Sequence, residues 1–422
     1  MFERTALPDG PRVISARLPG ARSLSVAAYV LAGSRTESNE QAGVAHFMEH
    51  LTFKGTAAYP TGRLVSEAIE GVGGTCNAAT DRESTVYWTR LPVREAERAV
   101  GVLAELIVRP RLADAEIDRE REVIVEEIRS YRDDAAQYVY TVFDEAFFGD
   151  TPLGREIAGD EDSVRIVPAS TIRDFWQASY RPANTVIAVA GDIAHEQVCD
   201  LVARDFGRGN GPVPGWLPAP SPLPAGDRIR VVERSGAQAH LCLGVEALRR
   251  DHPEAWTLEL LSAVLGDGSS SRLFLSVRED AGLAYDVHAF SSDYADCGTL
   301  QIYAGVDPHD LGAALAAILK ELARLRDEPV PEAELTKTRN YVRGRLELRL
   351  EESRHLASWI GVQEALHDRV LSLDEALEAL DAVTSEQIQA LAGRLFRDEA
   401  LALAVVAPQG HAGHLGRELH LP

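Results

Sequence analysis

The chain has 422 residues, of which 45 % are hydrophobic and 26 % are charged, and this predicts two globular domains of about 200 residues each. The 65 acidic residues outnumber the 43 basic ones and give a net charge of −22. That charge argues against binding to nucleic acid or to an anionic membrane surface and would attract a basic peptide. No apolar run reaches the length of about 18 residues that indicates a membrane helix, and we expect a cytoplasmic protein.

In the first half, two strands are predicted within residues 12–32, followed by a helix that begins near Gln41. The further predicted elements are a helix over 62–70, strands over 75–79 and 84–91, helices over 93–108 and 113–147, a helix near 169–179 and a strand over 185–190. The helix over 113–147 is long and strongly acidic.

A segment rich in proline and glycine divides the chain. Six prolines and four glycines lie between Gly207 and Pro224, a composition that cannot continue a helix or a central strand. We therefore expect an N-terminal domain over 1–206, a linker over 207–226 and a C-terminal domain over 227–422. The second half repeats the element order of the first, so the expected fold class is α+β with two homologous domains from an internal duplication, each a mostly antiparallel sheet with helices packed on it.

The pattern that points to chemistry is the pair His46 and His50 with Glu49 between them. Histidines four residues apart lie on one face of a helix and can reach one metal ion, with the glutamate beside them. This is the inverted form of the His-Glu-x-x-His zinc motif, in which the glutamate is the general base. The corresponding helix of the second half, over 255–264, has no histidine, so only the first half is expected to bind the metal.

A catalytic zinc ion needs a third protein ligand and leaves the fourth position to water. The acidic helix supplies the candidates Glu116, Glu120, Glu122, Glu126 and Glu127. Glu120 and Glu127 are two turns apart and share a face, so one could bind the metal while the other orients a ligand. Spacing alone does not choose between Glu126 and Glu127.

The segments His46–Thr56 and Glu120–Ile128 together resemble the pitrilysin or insulinase family of zinc peptidases. The resemblance is to the short-chain subfamily that includes the mitochondrial processing peptidase β subunit and its bacterial relatives. It implies that His46, His50 and Glu127 bind one Zn²⁺ per chain, that Glu49 is the general base, and that Glu120 supports the site as an outer acidic residue.

The resemblance also implies substrate-binding residues in both halves. Arg278 and Tyr285, seven residues apart, match an arginine and a tyrosine that face the zinc site from the second domain in this family. Asn77 and Ala78 match an edge strand along which the peptide is bound as an added strand.

These observations predict a zinc endopeptidase that hydrolyses unstructured, basic or presequence-like peptides in a closed chamber. Family members of this length pair two chains, so we expect a homodimer, or a heterodimer with a related chain. One alternative is a dedicated processing peptidase that acts on a single precursor with a partner chain. The other is a noncatalytic scaffold subunit, against which the complete set of motif residues argues.

Overall fold

The computed structural model describes residues 2–209, 215, 218, 228–367, 369–411, 415–417 and 419–422. Its strands are β1 Phe2–Ala6, β2 Arg12–Arg17, β3 Ser23–Val30, β4 Thr75–Thr80, β5 Thr85–Pro92, β6 Thr185–Gly191, β7 Ile229–Glu233, β8 Ala239–Ala247, β9 Ala284–Asp293, β10 Gly298–Val306 and β11 Ala402–Ala407. Its α-helices are α1 Val44–Thr52, α2 Gly62–Glu70, α3 Ala96–Val108, α4 Asp114–Asp133, α5 Ala135–Phe148, α6 Glu161–Ile166, α7 Ala169–Ser179, α8 His195–Phe206, α9 Ala255–Gly266, α10 Leu311–Asp327, α11 Glu332–Leu350, α12 Ser353–Leu366, α13 Leu373–Asp381 and α14 Ser385–Leu395. A π-helical turn spans Phe274–Asp280.

The chain forms two compact units that are not contiguous in sequence. The first consists of residues 1–129, 156–217 and 347–372, and the second of residues 130–155, 218–346 and 373–422. Each unit therefore takes one segment from the other half of the chain, which differs from the contiguous division expected at 206 and 227. Most of the predicted linker over 207–226 lies outside the described residues.

The first unit is built on a six-stranded sheet in the order β1-β2-β6-β3-β5-β4. Only the β2–β6 pair is parallel within this described sheet, and the other neighbours are antiparallel. The central strand β6 is buried along its whole length, as its continuous apolar run favours. On β3, Val26 and Ala28 pack in the same core as α1 and α3, whereas Ala27 and Tyr29 pack on the opposite face with α12.

The second unit is built on a five-stranded sheet in the order β7-β11-β8-β10-β9. Its β7–β11 pair is parallel, and the remaining pairs of the described sheet are antiparallel. One face packs in a core with α9, α10 and α14, and the other face is covered by α5 through Val139, Val142 and Phe143. The expected duplicated α+β fold, with mostly antiparallel sheets and helices packed on them, is confirmed.

The predicted long helix over 113–147 is wrong, because it is interrupted at Asp134. The carboxylate of Asp134 accepts hydrogen bonds from the backbone N–H groups of Ala136 and Gln137, which makes it the N-cap of α5. The interruption lies close to the boundary between the units: α4 belongs to the first unit as far as Arg129, and α5 belongs to the second.

The structure also contains β1, α6 and α8, which the sequence patterns did not predict. Within the described part of the chain, no helix combines the length and apolar character needed to cross a membrane.

Candidate metal centre

The helix α1 starts at a position that only glycine fits. Gly43 has φ +90°, and a Cβ atom there would lie 2.4 Å from the carbonyl oxygen of Ala158. The buried carboxylate of Glu37 accepts hydrogen bonds from the backbone N–H of Gly43 at 3.0 Å and of Ala45 at 2.6 Å. A negative charge at the N-terminus of a helix is favourable, so Glu37 fixes the start of the helix that carries the motif.

His46 and His50 lie on one face of α1, with their ring centroids 4.7 Å apart. Glu127 on α4 completes the group. Its carboxylate oxygens lie 3.2 Å from Nε2 of His50 and 3.7 Å from Nε2 of His46. One ligand atom from each of the three residues lies within 4.8 Å of the other two.

The two glutamates that spacing could not separate point in different directions on α4. Glu126 pairs with Arg129 at 2.7 Å, and its side chain is 69 % exposed. Glu127, one residue later, turns toward the histidines. The structure therefore brings Glu127, and not Glu126, into the group.

Glu120 lies two turns before Glu127, on the buried face of α4. One carboxylate oxygen lies 3.3 Å from Nδ1 of His50, and the other lies 2.7 Å from Nζ of Lys54. Only 2 % of the Glu120 side chain is exposed, so both oxygens depend on these partners instead of water. A histidine that donates from Nδ1 to a carboxylate keeps Nε2 free as a metal ligand.

The side chain of Glu49 is held by a hydrogen bond from a strand of the sheet. Its Oε2 accepts a hydrogen bond of 2.6 Å from the hydroxyl of Thr80, the last residue of β4. Burial raises the pKa of Glu49 above its ordinary value, although the bond from Thr80 opposes this. A carboxylate with a raised pKa accepts a proton more readily near neutral pH, which suits a general base.

Burial and the contacts among the three clustered residues shift their pKa values in different directions. Burial and the neighbouring charge of His50 lower the pKa of His46 to about 4, so this imidazole is neutral at pH 7. Burial alone would lower the pKa of His50, but its hydrogen bond with Glu127 and the one with Glu120 raise it. The hydrogen bond from His50 lowers the pKa of Glu127, which is therefore an anion at neutral pH.

This donor set fits a zinc ion. Two imidazole nitrogens and one carboxylate oxygen are a common ligand set of catalytic zinc sites, which keep a fourth position open for water. An imidazole that binds a metal must give up its proton, so with zinc bound both imidazoles would be neutral, the set would carry one negative charge, and the bound Zn²⁺ would keep a net positive charge. The hydrogen bond between His50 and Glu120 supplies the outer contact that such sites use to orient a ligand.

The expected substrate-binding residues fall into two places. Asn77 and Ala78 lie in the middle of β4, at the edge of the sheet of the first unit, where Oδ1 of Asn77 accepts from the backbone N–H of Ala78 at 2.9 Å. In the second unit, the guanidinium carbon of Arg278 lies 5.4 Å from the ring centroid of Tyr285. The Tyr285 side chain is 77 % exposed, and both residues line a cavity of about 400 Å³.

Three residues at this centre were not singled out from the sequence. Lys54 could have been found, because it lies four residues after His50, close to the end of α1. Glu37 and Thr80 carry no local signal. Their contacts with α1 depend on the turn before the helix and on the end of a strand 31 residues after Glu49.

Comparison with known proteins agrees with these observations. A profile of the insulinase family, peptidase family M16, matches residues 12–161, and a profile described as the peptidase M16 inactive domain matches residues 167–342. An uncharacterised zinc protease of Mycobacterium leprae is 35 % identical over 422 residues, covering 99 % of this chain and 94 % of that protein. An uncharacterised zinc protease of Bacillus subtilis is 33 % identical, covering 97 % of this chain and 99 % of that protein. The mitochondrial-processing peptidase subunit beta of Bos taurus is 30 % identical, covering 96 % of this chain and 84 % of that protein.

Solved structures share the fold. A protease from Helicobacter pylori superposes with a TM-score of 0.88 at 23 % identity, covering 97 % of this chain and 99 % of that one. A chain of complex III2 from Candida albicans gives a TM-score of 0.84 at 19 % identity, with 99 % of both chains covered. Taken with the matched profiles and the relatives named zinc proteases, this shows that the chain belongs to the insulinase family of peptidases, family M16, as its resemblance to that family implied.

Proposed function

We propose that the chain is a zinc-dependent endopeptidase. The observation that carries this proposal is the group of His46, His50 and Glu127, whose ligand atoms lie within 4.8 Å of one another. Glu49, held by Thr80, lies on the same helix between the two histidines. The names of the relatives, which include zinc proteases from several bacteria, support the same activity.

The residues divide the work of peptide hydrolysis. His46, His50 and Glu127 would hold the zinc ion, which supplies a lowered pKa for water and polarisation of the peptide carbonyl. Glu49 takes the proton from the attacking water as the C–O bond forms, and it then gives that proton to the nitrogen of the leaving amine as the C–N bond breaks. Thr80 restricts rotation of the Glu49 carboxylate, so the base stays oriented.

The substrate we propose is an unstructured peptide bound in extended form along β4. This strand lies at the edge of its sheet and pairs with β5 on one side. In the described sheet its other edge has no neighbouring strand, so the backbone groups along that edge can pair with a peptide. Main-chain pairing places few demands on the sequence of the peptide. The net charge of −22 supports a preference for basic or presequence-like peptides.

Arg278 and Tyr285 are proposed to bind the substrate, and two chains are proposed to pair around it. The stacked arginine and the 77 % exposed tyrosine offer donors to a carbonyl or oxyanion without breaking a buried contact.

Light scattering of the purified chain tests the pairing: a mass of twice 45.9 kDa supports the homodimer, and the mass of a monomer contradicts it.

The activity is tested with a quenched, unstructured basic peptide and a zinc determination on the same sample. We expect about one zinc ion per chain and cleavage by the wild type. Glu49→Gln is expected to keep its zinc and to lose about 10²–10⁴-fold in kcat, the usual contribution of a general base. A chain that binds no zinc contradicts the proposed site, and a Glu49→Gln variant with full activity contradicts the proposed base.

The 30 % identity to a subunit of a processing peptidase favours one second candidate, cleavage of a single precursor with a partner chain. The same assay separates the two candidates. Cleavage of generic peptides by this chain alone supports the endopeptidase. Zinc binding without cleavage until a related chain is added supports the processing enzyme.

A further inference from the structure

We propose that Lys54 is a positioning residue of the metal centre, acting through Glu120 and His50. The inference rests on the proposed zinc site and extends it to a contact outside the ligands and their direct partners. Lys54 follows the end of α1, where its backbone N–H donates to the carbonyl oxygen of Leu51 at 3.0 Å. This backbone bond fixes the point from which the side chain extends toward Glu120.

Four groups are joined by three successive polar contacts. Nζ of Lys54 lies 2.7 Å from Oε1 of Glu120, and Oε2 of Glu120 lies 3.3 Å from Nδ1 of His50. Nε2 of His50 faces Glu127 at 3.2 Å. A rotation of the Glu120 carboxylate would therefore change which His50 nitrogen is held as the donor, and with it the nitrogen presented to the metal.

Lys54 is the partner that restricts this rotation. Glu120 is 2 % exposed, so an oxygen that loses its cationic partner is left in a poorly solvated position. The ammonium group itself is better solvated, since the Lys54 side chain is 35 % exposed and borders a cavity of about 450 Å³. Lys54 can therefore be replaced by a residue that stays partly exposed. The buried carboxylate of Glu120 cannot replace its lost partner with water.

The test measures zinc affinity by competition with a chelator, and it does not depend on peptide cleavage. Lys54→Met is expected to weaken zinc binding about 10-fold, the lower end of the effect seen when an outer contact of a metal ligand is removed. Lys54→Arg keeps the positive charge and is expected to retain most of the affinity. Lys320→Met on α10 of the second unit is the matched control and should leave zinc affinity unchanged.

A double-mutant cycle separates positioning from a general effect on stability. In a Glu120→Gln background, Lys54→Met should cause no further loss of zinc affinity, because its partner carboxylate is gone. An equal further loss in that background, or wild-type affinity for Lys54→Met alone, overturns the inference while the zinc site stands. A wild-type chain that binds no zinc overturns the proposed function itself.

Discussion

At the scale of single residues, the hydroxyl of Thr80 is the contact that joins the candidate base to the candidate substrate strand. It donates to Oε2 of Glu49 at 2.6 Å from the end of β4. We predict that Thr80→Val lowers kcat about 10-fold, because one charge-assisted hydrogen bond of roughly 1.5–3 kcal/mol no longer orients the carboxylate. Steady-state kinetics on the quenched peptide measures this.

Thr80→Ser is the matched control, because it keeps the hydroxyl and should retain most of the activity. Zinc content should be the same in both variants, since the hydroxyl of Thr80 donates to Glu49 and not to a residue of the ligand set. Loss of kcat in the serine variant but not in the valine variant would show that the methyl group, and therefore packing, is what matters at this position.

A second residue-scale prediction concerns pH and the second unit. His240 on β8 is 8 % exposed, and its Nδ1 lies 2.8 Å from the hydroxyl of Tyr303. Burial lowers the pKa of His240 below its ordinary value of 6.5. The unfolded chain therefore binds a proton more tightly than the folded one, so this group contributes stability above pH 6.5 that is lost as the pH falls toward its folded-state pKa.

Urea unfolding followed between pH 7.5 and 5 checks this expectation. His240→Gln removes the titrating group, so the free energy of unfolding should fall less steeply with decreasing pH in the variant than in the wild type. Parallel pH profiles for the two proteins would contradict the assignment.

Residue spacing alone indicated part of the candidate metal centre. His46, Glu49 and His50 were predictable because one helix places them together, whatever the rest of the chain does. Glu127 could not be separated from Glu126 by spacing, since adjacent residues of a helix differ only in direction, and the position of α4 against α1 decides between them. Thr80 belongs to a distant strand and could not have been found by local pattern.

At the scale of elements, α12 packs on the sheet of the first unit through a glycine. A Cβ atom at Gly361 would lie 2.5 Å from a ring carbon of Tyr29 and 2.7 Å from Cβ of Ala188. We predict that Gly361→Ala destabilises the protein by about 1–3 kcal/mol, because the helix must move away from β3 and β6. Chemical denaturation gives this value directly.

Gly344→Ala is the control for that substitution. Gly344 lies in α11, and a Cβ atom there meets no heavy atom within 4 Å. It should stabilise the helix by about 0.5–1 kcal/mol, the usual gain of alanine over glycine. Stabilisation by both substitutions would show that α12 does not need close contact with the sheet.

Most elements were predictable from periodicity and from turn residues, as α2 and α7 show by matching their predicted bounds. The pair α4 and α5 was not, because acidic and apolar residues continue the helical pattern through Asp134. Asp134 lies among other acidic residues, so its sequence context does not distinguish a position inside a helix from the N-cap position that it occupies. The direction of α5 is set by the sheet on which it packs.

At the scale of the whole molecule, the exchanged helices make each half of the chain incomplete. A fragment of residues 1–206 lacks α12, and a fragment of residues 227–422 lacks α5, so each would expose one apolar face of its sheet. We predict that neither fragment unfolds cooperatively alone and that the two recover cooperative unfolding when produced together. Circular dichroism with thermal melting measures this for each fragment and for the pair.

A synthetic peptide of residues 350–372 sharpens the test. It should bind the 1–206 fragment and raise its melting temperature, whereas a peptide of the same composition in scrambled order should not. Cooperative unfolding of the 1–206 fragment without any addition would contradict the prediction.

The sequence could not show this exchange, although it did indicate the duplication. Alternating apolar residues such as Ile14, Ala16 and Tyr29 indicate that a face of the sheet must be covered, but they do not say by which helix. The moderately apolar α12 is suited to cover a sheet in either half. Long-range packing decides which helix covers the sheet, and a local sequence pattern does not contain that information.

The exchange also sets an order in time, because a ribosome makes the chain from its N-terminus. The six-stranded sheet is complete once Gly191 has been added, yet α12 begins only at Ser353. At synthesis rates of about 5–20 residues per second, roughly ten to thirty seconds pass between the synthesis of β6 and that of α12. One face of β2, β3 and β6 is uncovered during that time. We expect that during this interval Ile14, Tyr29 and Val186 lack the cover of α12, so the unit that carries the candidate metal centre completes its folding only after Leu366 has been added.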